Sequence, residues 1–210
     1  MGGVSIDPVV VSGARVHTVC DYRFWLPCPR IFPAGSDRES WAAEMAAGWW
    51  HISDLPDEQN MVDRLAAMLR EIHEEAYATV PCQQIWIYVR DPVVPPIPLH
   101  IGIWKMNGDR EEQLLSLSGA RDPHAVRSPL VAQAELGRLG HGIRAIRYVS
   151  ADEDGSLCAL LGYGFRVAEL ETDIQLLATS MDPAALITAV PDVEEFIRGM
   201  TVSRKEKAWT

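Results

Sequence analysis

The stretch REIHEEAYATV, residues 70–80, is where residue types and spacing come nearest to a catalytic signature. His73 and Glu74 occupy the first two positions of H-E-x-x-H, in which two imidazoles on one helical face hold zinc and the glutamate acts on the metal-bound water. The second histidine position is Tyr77. A zinc site here would need the phenol as a ligand, or a metal held by His73 and distant groups. The same residues also read as the edge of an amphipathic helix. Met61, Leu65, Met68, Ile72 and Ala76 recur at helical spacing, and Val62, Ala66, Leu69, His73 and Tyr77 form a seam beside them. At such an edge an imidazole and a phenol bury carbon and keep a polar tip wet. Arg70 and Glu74 stand at i,i+4 spacing for an ion pair. The helical reading prevails, so no metal and no cofactor are expected.

Other chemical signatures are equally incomplete. Cys20, Cys28, Cys82 and Cys158 show no C-x-x-C spacing and read as reduced, buried thiols. Gly162 and Gly164 would need a third glycine at Val167 and a following helix to bind a dinucleotide. The P-x-x-P spacings of Pro92 to Pro95 and Pro95 to Pro98 lie between two hydrophobic runs and read as a connector. No catalytic residue is expected.

The net charge of −10 gives an anionic surface that repels phosphate backbones and anionic lipid, which argues against nucleic acid and membrane partners. The segment MGGVSIDPVVVSGARV lacks a basic region and a long apolar region, and no apolar run is long enough to span a bilayer. A cytoplasmic protein is the expectation.

These residues must be positioned by a fold, and the sequence outlines one. ARVHTVCDYRFW alternates as a strand with one wet face, and the prolines of LPCPRIFPAG exclude regular structure up to Ser36. Ser36 with Glu39 forms a capping box for a helix ending near Gly48, and Asp54 with Pro56 and Asp57 opens the long helix. QQIWIYVR and LHIGIWKM read as paired strands joined by DPVVPPIP. Helices are expected at Glu111 to Leu117 and at Pro129 to Leu139, in an insertion or lid. GIRAIRYVS, SLCALLGYGFRVA and TDIQLLATS form a meander with a DG turn, the middle strand covered on both faces and its glycines under a helix or an aromatic ring. SMDPAALITAV and PDVEEFIRGM read as two successive helices.

The order is that of one α+β domain over residues 1–210, an antiparallel sheet with helices on both faces in an α/β/α sandwich. Residues 1–12 and 201–210 read as terminal extensions. The pattern GHGIRAIRYVSADEDGSLCALLGYGFR…TDIQLLATSMDPAALITAVPDVEEFIRGM resembles the C-terminal half of uncharacterised actinobacterial proteins. The element order is similar to the Mog1/PsbP-like fold. Members of that fold class act mainly in binding or assembly, so the resemblance implies a non-enzymatic role by analogy and carries over no functional residue.

Two groups of residues remain as candidates. In GWWHI, Trp49, Trp50 and His51 leave a helix end: either both rings are buried under loops, or one points outward to anchor a protein partner or a second copy of the chain. Arg144, Arg147 and Arg166 stand on adjacent strands: either they line a pocket with tryptophan, or they form a solvated face paired with Asp173 or Glu169. A non-catalytic binding or assembly module follows from the first group. A small-molecule-binding protein or enzyme with a Trp/Arg-lined pocket follows from the second.

Overall fold

The computed structural model describes residues 13–53, 55–56, 58–79, 82–151 and 155–204. Its elements are β1 (Ala14–Thr18), β2 (Trp25–Cys28), α1 (Arg38–Ile52), α2 (Gln59–Thr79), β3 (Gln84–Tyr88), β4 (Ile97–Lys105) and α3 (Arg110–Ser118). There follow β5 (Leu130–Leu136), β6 (Gly140–Ser150), β7 (Leu157–Val167), β8 (Thr172–Ser180), α4 (Pro183–Arg198) and β9 (Met200–Arg204). Seven strands form one antiparallel sheet in the order β2-β3-β4-β8-β7-β6-β5, and β1 pairs with β9 in a separate ribbon. The expected α+β architecture is present, and among the described residues no helix is long and apolar enough to cross a membrane.

Strand periodicity divides the core into two layers. Leu99, Ile101, Tyr163, Phe165, Ile174 and Leu176 point to the face covered by α4, whose Leu186, Val193, Phe196 and Ile197 are buried against them. On the opposite face, α1 and α2 cover Leu26, Ile85 and Ile87 with Trp41, Trp49, Leu65 and Leu69. That second face is shared with α3, which lies over β6, β7 and β8. The paired runs β3–β4 and the meander β6–β7–β8 are as expected.

Gly162 and Gly164 show how α3 is seated. A Cβ at Gly162 would lie 2.2 Å from the Ser118 carbonyl oxygen, and one at Gly164 would lie 2.8 Å from that of Leu114. Only side-chain-free positions let the helix backbone approach the strand this closely. Gly164→Val is therefore expected to cost about 1–3 kcal/mol through overpacking. Thermal melting measures it, and an unchanged midpoint would mean that α3 yields without loss.

Several elements depart from their sequence-based outlines, each for a local reason. ARVHTVCDYRFW is two strands in different sheets, because Asp21 closes a turn: its carbonyl accepts from Phe24 N–H at 3.0 Å and Trp25 N–H at 3.1 Å. Pro27 sits inside β2, which is an edge strand where a missing N–H costs little. The α1 cap is Asp37 with Ser40, one residue later than Ser36 and Glu39, and the helix runs through Gly48 to Ile52. The long helix starts at Gln59, while the expected cap Asp54 and its partner Asp57 lie outside the described residues.

The Pro129 to Leu139 helix is instead strand β5, since pairing with β6 buries alternate Ala134 and Leu136. The two C-terminal helices are one, α4, continuing through Pro191. Pro191 stands on the solvent side, so the carbonyl of exposed Ile187, which loses its partner, faces water. Thr201 to Arg204, expected in a terminal extension, belong to β9, whereas 1–12 and 205–210 lie outside the described residues.

Candidate functional site

His73 faces the interior of the α1–α2 layer. Its Nε2 is 3.0 Å from the Pro29 carbonyl oxygen, and its ring stacks on Phe32 at 4.9 Å. Tyr77 OH donates to the Cys28 carbonyl at 2.7 Å, so both polar tips tie the β2–α1 connection to α2. Glu74 points away to solvent and pairs with Arg38 at 2.9 Å, while Arg70 pairs with Glu39 at 3.0 Å. The i,i+4 pair of Arg70 and Glu74 is thus replaced by two bridges between α1 and α2. Among the described residues no group of three or more His, Cys, Asp or Glu is placed to hold a metal.

The three arginines do not share a pocket. Arg144 lies on the α4 face and donates to Glu194 at 2.8 Å. Arg147 lies on the α3 face, donating to Asp122 at 2.8 Å and to the Ser118 carbonyl at 3.0 Å, where it caps the C-terminal end of α3. Gly119, with φ of 75°, terminates that helix, and a Cβ there would collide with the Arg147 guanidinium. Arg166 pairs with Asp173 through bonds of 2.6 and 2.8 Å. The pairing with Asp173 is one the sequence suggests, but the carboxylate is fully buried instead of solvated.

Trp49 and Trp50 lie in the last turns of α1, both buried, with their rings edge to face at 6.2 Å. Each indole N–H is satisfied by a backbone carbonyl, Trp49 to Arg23 at 2.8 Å and Trp50 to Pro56 at 2.7 Å. His51 is exposed beside them. The two rings form the floor of a cleft of about 710 Å³ between the α1–α2 connection and the β3–β4 connection. Its rim carries the exposed aliphatic side chains Ile52, Leu55 and Val93, with Arg23, Glu58 and Arg90 between them.

Arg90 also borders a second cleft, of about 420 Å³, between the β3–β4 connection and α4. Beside this cleft Tyr88 OH and, at 3.1 Å, Arg90 Nη1 donate to the carboxylate of Asp192 on α4. Burial, reinforced by the Asp192 carboxylate, pushes the Tyr88 phenol up to about 12, so it remains a donor at neutral pH. It ties α4 to the sheet. Sequence reasoning missed this cluster, because Asp192 meets Tyr88 from 104 positions away with no local spacing to mark the pair.

No protein-family model matches the chain and no curated protein matches it. A structural likeness is found to LpqN of Mycobacterium tuberculosis, a protein involved in cell envelope biogenesis, with a TM-score of 0.51 and 11% sequence identity. The match covers 91% of this chain and 85% of LpqN. At that identity the likeness concerns the fold.

Proposed function

We propose that this chain is a non-catalytic binding or assembly module that receives an apolar segment of a protein partner, or of a second copy, in the Trp49/Trp50 cleft. The observation that carries the reading is the rim: Val93 is 58% exposed, Ile52 51% and Leu55 37%, grouped around a rigid aromatic floor. Exposed aliphatics gathered round a concave apolar floor, with charges between them, have the composition of a recognition surface. The strong ion pairs elsewhere are used within the fold, which favours binding over chemistry. The resemblance of the element order to the Mog1/PsbP-like class, whose members act mainly in binding, supports the same reading by analogy.

The location that accords with this proposal is the cytoplasm, where the thiols of Cys20, Cys28, Cys82 and Cys158, all unpaired, are stable. The part played by LpqN in cell envelope biogenesis makes the envelope the competing location.

A panel of capped hexapeptides centred on Trp, Phe or Leu tests the cleft, read by the indole N–H signals of the isotope-labelled protein. At least one peptide is expected to shift the Trp49 and Trp50 signals saturably. Val93→Arg should weaken that binding at least tenfold with an unchanged melting temperature. Peptide binding that leaves both signals in place, or survives Val93→Arg, would remove the cleft from the proposal. A small-molecule site bordered by Arg23 and Arg90 would instead respond to aromatic carboxylates and not to the peptides.

A further inference from the structure

The two edges of the seven-stranded sheet are finished differently. β2, at one edge, has four residues with Pro27 among them, and a short strand that lacks a donor is a poor template for another chain. β5, at the other edge, has seven residues with no lysine and no proline inside it. Among the described residues no strand and no backbone group pairs with its outer side. Its single charge, Glu135, lies 3.8 Å from His141 on the neighbouring β6. A long edge without a proline or lysine to blunt it is a ready template for strand addition.

The side chains of β5 determine which strand fits. Alternation puts Leu130, Ala132, Ala134 and Leu136 in one row on the α4 face. At its C-terminal end the row is core: Ala134 and Leu136 are buried with Leu139 of the following turn, under α4. At its N-terminal end Leu130 is 59% exposed. An antiparallel copy of the same strand reverses the order, so the covered end of one row falls beside the open end of the other. With Gln133 on a two-fold axis, Leu130 stands opposite the partner's Leu136 and Ala132 opposite the partner's Ala134. Val131, 49% exposed on the other face, stands opposite the partner's Glu135. All seven residues are used, and the Gln133 amide meets that of the partner's Gln133.

Charge permits the approach. The chain carries −10 overall, so two copies repel over most of their surface. Residues 119–139, which lead into and out of β5, hold Arg121, Arg127 and Arg138 against only Asp122 and Glu135. In the two-fold register Glu135 does not meet its own copy, so no like charges stand opposite each other along the paired strands.

We propose that β5 pairs antiparallel with β5 of a second copy of this chain, Gln133 on the axis, joining two seven-stranded sheets into one. The interface is isologous and closes at two copies. It lies at the sheet edge away from the Trp49/Trp50 cleft, which is on the β2–β3 side, and does not depend on what that cleft receives.

Sedimentation velocity of the full chain over a wide concentration range should show a reversible monomer–dimer equilibrium. Gln133→Lys and Gln133→Glu each set two like charges on the axis and should each weaken the dimer at least tenfold. The melting temperature of the dilute monomer should stay unchanged in both, because Gln133 is exposed. Mixed in equal amounts the two variants should dimerise again, since the hetero-pair sets an ammonium opposite a carboxylate. Val93→Arg, on the rim of the other cleft, should leave the dimer as it is. A chain that stays monomeric at every concentration would overturn the proposal. So would a dimer indifferent to Gln133→Lys, a mixture of the two charged variants that stays monomeric, or a dimer that Val93→Arg abolishes.

Discussion

Trp49→Ala and Trp50→Ala are each expected to lose about 3–5 kcal/mol of stability in urea unfolding. Trp49 is 2% exposed and Trp50 7%, in one cluster with Leu26, Leu65, Leu69 and Ile87. Truncation removes most of a large apolar surface and leaves a cavity that the neighbouring β-strand and helix cannot fill without moving. It also strips the Arg23 and Pro56 carbonyls of their donors, although these border the open cleft where water replaces the indole. Rim substitutions such as Val93→Arg should stay within about 0.5 kcal/mol of the parent, because that side chain packs little. The contrast separates floor from rim: the tryptophans shape the cleft and the aliphatics meet the partner. A variant lacking Trp50 that kept full stability while changing its association would place that ring outside the core.

The elements most legible in the sequence were those fixed by long, strong patterns. The α2 stripe, the β3–β4 pair and the β6–β7–β8 meander carry enough periodic residues that one register turns their apolar faces to the core. The glycines at 162 and 164 pointed correctly to a close-packed cover, because nothing else explains small residues in an otherwise bulky strand. Short elements were decided by tertiary partners. LVAQAEL has the composition of a helix, yet lies as β5 because β6 offered an unpaired edge. Asp21 split an alternating run that looks continuous, through a turn of three residues. The site was less visible still. Trp49 and Trp50 could be singled out by type, but that both rings turn inward follows from α1 passing through Gly48, which no local signal forbade or required. Tyr88, Arg90 and Asp192 come together only once α4 is laid on the sheet.

Asp173→Ala is expected to be as damaging as the tryptophan truncations, at about 3–5 kcal/mol, which is a fall of roughly 6–20 °C in melting temperature for a domain of this size. The carboxylate is fully buried and takes two hydrogen bonds from the Arg166 guanidinium, whose side chain is itself only 9% exposed. Arg166 extends to the carbonyls of Asn107 at 2.8 Å and Gly108 at 3.2 Å, so the pair also fastens the connection that leads into α3. Removing the carboxylate leaves a cation in a site with two carbonyls and little water, and the penalty is that of the stranded charge. Asp173→Asn keeps the volume and one acceptor, and should fall between the parent and Asp173→Ala. The double variant Asp173→Leu with Arg166→Met removes both charges and should recover most of the loss, because well-packed apolar groups replace a buried pair at little cost. Hydrogen exchange locates the effect: in Asp173→Ala, amides of α3 should lose protection before those of β2 and β3, since α3 is held over Gly162 and Gly164 from the end that Arg166 fastens. A cost below about 1 kcal/mol for Asp173→Ala would mean that water screens the pair and that the seating of α3 rests on the glycines and Arg147 alone.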